Sequence, residues 1–187
     1  MKKGRTREII LETATSLFQC QGYHGTGLSQ IIEKSGAPKG SIYHYFPNGK
    51  EEMALEAINL MRKNVMQKAE ADLAEKDNAV EAFQHHMNNI AALFDSKENT
   101  GLPIGLIASE IATTNPKLLE ACKSAFTGWQ SLYADRLEGF GYKKEKAAEL
   151  SITINAMIEG GCILSITNQN GQPLRCIAKQ MESLLVQ

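Results

Sequence analysis

The run Lys39-Gly40-Ser41-Ile42-Tyr43-His44-Tyr45-Phe46 gathers side chains suited to meeting a polyanion. Lysine supplies a cation for phosphate. Serine, histidine and the tyrosine hydroxyls supply donors for phosphates or base edges. Gly40 carries no side chain, so a helix can bring its backbone close to another molecule there. Pro38 stands where a new helix would begin, since a first turn tolerates its missing N–H. The free N–H groups of that turn suit phosphate as well. Pro47-Asn48-Gly49 is a strong stop. A lone aromatic on a helix is more often core than contact. Phe46 is read as core, whereas the density of donors around Tyr43 favours the surface.

Other chemistry is thin. His85 and His86 are adjacent, so they point to different sides of a helix, and no Asp, Glu or Cys follows at i+3 or i+4 to complete a metal site. Cys20, Cys122, Cys162 and Cys176 match no zinc or redox spacing and are read as buried structural thiols in a reducing compartment. There is no nucleophile–base pair and no phosphate loop, so no catalytic residue, metal or cofactor is expected, and the chain is not read as an enzyme.

The elements that must position these residues are almost all helical. A first helix over about 5–21 carries Ile10, Ala14, Leu17 and Phe18 on one face and stops at Gly22. Thr26 offers an N-cap to a short helix bearing Leu28, Ile31 and Ile32. Ser35-Gly36-Ala37 ends it, and the third helix follows. Two short helices about a glycine turn form a helix-turn-helix at about 27–46. Further helices are expected at about 50–75, 78–95, 104–113, 116–138, 143–168 and 173–186. The fold class is therefore all-α, with a three-helix DNA-binding head at 1–50 and a helical body at 51–187.

Charge follows the same division. Net charge is −1 over 187 residues, yet residues 1–50 carry seven basic side chains (Lys2, Lys3, Arg5, Arg7, Lys34, Lys39, Lys50) against Glu8, Glu12 and Glu33. The rest carries 13 basic and 18 acidic ones. A basic head on an acidic body is expected when one end alone meets nucleic acid. Lys2, Lys3 and Arg5 are read as an arm along the DNA backbone, with a solvated terminus as the competing account. The longest apolar stretch, around Ile152–Ile166, is broken by Asn155, Glu159, Gly160 and Gly161, and reads as too short and too polar to span a bilayer. No signal peptide is recognised, so the expected location is the cytoplasm.

Gly22-Tyr23-His24-Gly25-Thr26, Ile31-Ile32-Glu33-Lys34-Ser35-Gly36 and the Lys39–Phe46 run together resemble the DNA-binding domain of the TetR/AcrR family over about residues 5–65. It departs from the common pattern at Ala37-Pro38 and in the Pro47–Lys50 loop. Thr100-Gly101-Leu102-Pro103-Ile104-Gly105 and Gly171-Gln172-Pro173-Leu174-Arg175 are similar to the LmrA/YxaF-type subgroup. The resemblance implies a homodimeric repressor on a palindromic double-stranded operator, released by a small hydrophobic or aromatic effector held in the body. It assigns phosphate contacts to Thr26, Lys39, Tyr43, Tyr45 and Lys50, and places Gly40, Ser41 and His44 nearest the bases.

The body is less legible. The aromatic residues of 78–138 fit either a pocket or an ordinary packed core, and composition cannot separate the two. The resemblance favours a pocket, lined in this reading by Phe83, His86, Met87, Trp129 and Tyr133. The last two helices offer a dimer surface, because Ala156, Gly160, Gly161 and Ser165 would let helices approach closely. A monomeric core is the alternative. Two other function classes stand beside the repressor: a small all-helical enzyme, and a helical interaction module whose basic head binds a protein or an acidic membrane.

Overall fold

The computed structural model describes residues 3–96 and 103–186, and the side chain of Lys3 is outside the description. Lys2, the Lys3 side chain and the Thr100-Gly101-Leu102 part of the subgroup motif therefore lie outside the described residues. Among the described residues there is no strand. The helices are α1 (Lys3–Gln21), α2 (Leu28–Ser35), α3 (Lys39–Tyr45), α4 (Lys50–Ala74), α5 (Ala79–Asp95), α6 (Ile104–Ile111), α7 (Pro116–Gly139), α8 (Lys144–Asn168) and α9 (Gln172–Leu184).

The chain divides into two compact units, the described parts of Met1–Lys63 with Gly101–Ala125, and of Asn64–Thr100 with Phe126–Gln187. The first is larger than the expected 1–50 head, because the start of α4, all of α6 and the start of α7 pack within it. Its core is the predicted face of α1 (Ile10, Ala14, Leu17, Phe18) closed by Ile31, Ile42, Phe46, Met53, Ala57 and Ile58, all buried. Arg7 ties α1 to α4 through Glu56 at 2.5 Å, and its guanidinium lies 5.0 Å from the centre of the Phe46 ring.

Glycine sets the turns on either side of α2. Gly22 ends α1 at φ +75° and Gly36 ends α2 at φ +63°, left-handed conformations that cost an L side chain roughly 1 kcal/mol or more. Thr26 does not cap α2, contrary to expectation. Its hydroxyl turns back to donate to the Gly22 carbonyl at 2.7 Å, and Gly27 takes the cap position, its N–H donating to Gln30 Oε1 at 3.0 Å.

In the second unit α5 packs on α9 and α8. Asn78 caps α5 by accepting the Glu81 N–H at 2.9 Å. Gly161 is where α8 and α9 touch most closely: a Cβ there would lie 2.7 Å from both Leu174 and Ile177. Gly161 and Ser165 thus face inward, and of the four small residues expected at a dimer surface only Ala156 and Gly160 are exposed. The run α8 is also continuous through Gly160-Gly161. At 25 residues it is long and apolar enough, by length and composition alone, to cross a membrane, which corrects the expectation from its polar interruptions. Its buried face, which includes Ser151, Asn155 and Ser165, is that of a core helix.

Two of the four cysteines depart from the buried assignment. Cys122 is buried and Cys162 half-buried, but Cys20 and Cys176 are exposed. Each of these two lies two residues from core positions, Phe18 on α1 and both Leu174 and Ala178 on α9, so it turns to the opposite side of its helix.

Candidate nucleic-acid interface

Helix α3 is short, and two buried residues anchor it. Ile42 and Phe46 are completely buried, which fixes the rotation of the helix about its axis. Lys39, Gly40, Tyr43 and His44 are all exposed, and their spacing of i, i+1, i+4 and i+5 makes one continuous stripe. Ser41 and Tyr45 are half-buried at its margins. The His44 and Tyr45 rings meet edge to face at 4.9 Å, which limits how far His44 can swing.

Gly40 is informative because nothing inside the fold requires it. Its φ is not left-handed, and a Cβ built there would meet no atom within 4 Å. A glycine in a helix is destabilising relative to alanine, and here no internal close approach offsets that.

The remaining predicted contacts divide. Lys50 is half-buried with its Nζ 4.3 Å from the Tyr23 ring centre, so it begins α4 as a cation steadied by an aromatic face. Burial lowers its pKa and the nearby Glu110 carboxylate opposes that shift. Thr26 is withdrawn as a side-chain contact, because it is 1% exposed with its hydroxyl already committed to Gly22.

Two features escaped sequence reasoning. One is an open cleft of about 390 Å³ between α2 and α3, lined by Leu28, Ser29, Ile32, Glu33, Lys39 and Tyr43 and almost wholly apolar inside. Leu28 and Ile32 carry the helical spacing of core residues, so periodicity alone could not separate them from a groove. The other is Glu110 on α6, whose carboxylate accepts the His24 N–H at 2.9 Å. No local pattern signals a contact across 86 residues.

The five residues expected around an effector are all buried side chains of the second unit. Phe83 and Met87 lie one turn apart on α5, Trp129 and Tyr133 one turn apart on α7, and all five, His86 included, are at most 4% exposed. Phe83 meets Tyr133 edge to face at 5.6 Å. His86 is held between Asp72 at 2.8 Å and the Tyr133 hydroxyl at 3.1 Å. Partial burial works against the Asp72 charge, but hydrogen bonds with His86 and Asn89 outweigh it and hold the carboxyl below its usual range. Burial, reinforced by the charges of Glu159 and Asp72 and by Cys162, raises the Tyr133 hydroxyl. Burial likewise pushes the Cys162 thiol up to about 12, with Glu159 adding to the shift, so it is held as the unreactive thiol. His85 pairs with Glu75 at 3.1 Å, and among the described residues no metal-binding group of three or more ligands occurs.

Residues 10–57 match the model of the tetR family of bacterial regulatory proteins. Residues 79–180 match that of the LmrA/YxaF-like transcriptional regulator C-terminal domain. The chain is 46% identical to the uncharacterized HTH-type transcriptional regulator YxaF of Bacillus subtilis, covering 98% of this chain and 96% of that protein. It is 44% identical to the HTH-type transcriptional regulator LmrA of the same organism, covering 99% of each. Among solved structures, a TetR transcriptional regulator from Chloroflexus aurantiacus superposes with a TM-score of 0.84 at 25% identity, over 100% of this chain and 96% of that one. The reduced form of Escherichia coli NemR shares the fold with a TM-score of 0.84 at 20% identity, over 96% of each chain.

Proposed function

The chain belongs to the tetR family, with an LmrA/YxaF-like C-terminal domain, and is a helix-turn-helix transcriptional regulator; we propose that it works as a homodimeric repressor whose two α3 helices enter successive major grooves of a palindromic operator. The observation that carries this reading is the exposed stripe Lys39-Gly40-Tyr43-His44, set on a helix that Ile42 and Phe46 hold rigidly. Lys39, Tyr43, Tyr45 and Lys50 then hold phosphates, while Gly40, Ser41 and His44 face the bases. Two such helices must stand about one turn of DNA apart, roughly 34 Å.

A small hydrophobic or aromatic effector is received among Phe83, His86, Met87, Trp129 and Tyr133. Support comes from polar groups set into an apolar core there, with the His86 ring and the Tyr133 hydroxyl able to orient a ligand. The effector must bind the DNA-incompetent arrangement more tightly than the competent one, or it shifts nothing. Helix α4, which like α7 has residues in both compact units, follows the DNA-binding head directly along the chain and is the lever for such a preference. The protein acts in the cytoplasm, and its role is binding rather than turnover.

Fluorescence anisotropy on duplexes from the DNA flanking its own gene tests the reading. A preferred duplex should be held far above random sequence, with affinity falling steeply as salt rises. Addition of aromatic compounds to the complex should identify one that releases it. Equal affinity for all duplexes would end the proposal.

A further inference from the structure

The cleft between α2 and α3 shares two of its walls, Lys39 and Tyr43, with the exposed stripe of α3. Whatever α3 approaches is therefore also presented to the cleft. Its exposed lining is almost wholly apolar, although Ser29, Glu33 and Lys39 stand among the residues that form it with Leu28, Ile32 and Tyr43. Phosphate contacts do not call for such a surface, and Glu33 makes the cleft a poor seat for an anion. The cationic end of Lys39 suits the neighbouring phosphodiester. The group that fits an apolar recess beside a cation on a DNA-binding helix is the C5-methyl of thymine, the one apolar group on the major-groove edge of the base pairs.

We propose that the α2–α3 cleft receives the methyl-bearing edge of a thymine in each half-site, making Leu28 and Ile32 specificity-determining residues. The inference rests on the DNA-binding reading above and adds to it a base identity read by α2 as well as α3. The cleft is open and, at about 390 Å³, leaves room for the base edge that carries the methyl.

The test uses the full-length protein and its preferred duplex, selected from a random-sequence pool. Each thymine is replaced in turn by uracil, which removes the methyl and keeps every hydrogen-bonding group. One position per half-site should lose about threefold to tenfold in affinity. In Leu28→Ala and Ile32→Ala, checked for folding by circular dichroism, the thymine-to-uracil ratio at that position should fall to near one. Ile32→Val, which trims one methylene, should give an intermediate ratio. Uniform indifference to uracil overturns the inference while leaving the repressor reading intact, as does a ratio that survives in the cleft variants. Failure to select any duplex would defeat both together.

Discussion

The Glu110 carboxylate on α6 accepts the backbone N–H of His24 at 2.9 Å, and the His24 ring nitrogen Nε2 lies 3.2 Å from the carbonyl oxygen of Glu110. The two residues clamp α6 to the turn that joins α1 and α2. Gly22 completes the clamp, because a Cβ at that position would lie 1.9 Å from Glu110 Oε1.

This arrangement predicts a coupled pair of substitutions. Gly22→Ala must hold a left-handed φ of +75° and also displace the Glu110 carboxylate, for a cost of about 1–2 kcal/mol. Glu110→Ala leaves the exposed His24 N–H to water and costs about 0.5–1.5 kcal/mol, whereas Glu110→Gln keeps an acceptor and costs less. In the double variant the collision is already relieved, so urea denaturation should give a total smaller than the sum of the single costs. Strict additivity would mean that the two residues do not share a clamp.

Gly40→Ala separates folding from recognition. A Cβ there meets nothing within 4 Å, so the head should be unchanged or more stable by about 0.5 kcal/mol in thermal unfolding. Affinity for the preferred duplex should fall by roughly tenfold or more if the backbone of α3 lies against the DNA. Undiminished affinity would place Gly40 away from the groove.

The helices and the anchor residues of α3 were legible because apolar periodicity and glycine or proline punctuation are local signals. Ile10, Ala14, Leu17, Phe18, Ile42 and Phe46 are all buried where their spacing put them. Thr26 departs from the expected cap because a threonine hydroxyl can cap the following helix or bond back to a preceding carbonyl, and the Gly22 turn favours the second. The cleft was invisible, since Leu28 and Ile32 satisfy the same spacing whether or not another element covers them. Gly161 reads from sequence like Ala156 and Gly160, and only the position of α9 reveals which small residue faces inward.

Asp72 links stability to acid. Its carboxyl titrates below the usual range in the folded protein, so the unfolded chain takes up a proton first as pH falls. The contribution is complete above about pH 4, the unfolded value, and is lost as pH falls through the lower folded value. Asp72→Asn should therefore lower the urea midpoint at pH 7 and flatten the loss of stability below about pH 4. An acid limb as steep as that of the parent protein would assign the loss to other carboxylates. The same variant leaves buried His86 with a weaker partner than the ionised carboxylate, so effector affinity should change with it.

The exposed side of α8 carries the last prediction. Ile152, Ile163 and Leu164 are 57%, 39% and 53% exposed, and Ala156 and Gly160 lie on the same side between them. Scattered surface leucines need no explanation, but a run of apolar residues along one helix face does. The opposite face is already occupied, with Ile154 and Ile158 in the core and Gly161 against Leu174 and Ile177 on α9. The outward stripe is therefore available to a second copy, whose own α8 presents the same surface about a two-fold axis. Replacing Ile152 and Leu164 together by Glu buries four charges in that dimer but touches nothing inside the protomer. Sedimentation at about ten micromolar should show a folded monomer, with self-association weakened by roughly a hundredfold or more. Operator affinity should fall with it, because one head reads only one half-site. A dimer that persists in this double variant would move the interface off α8.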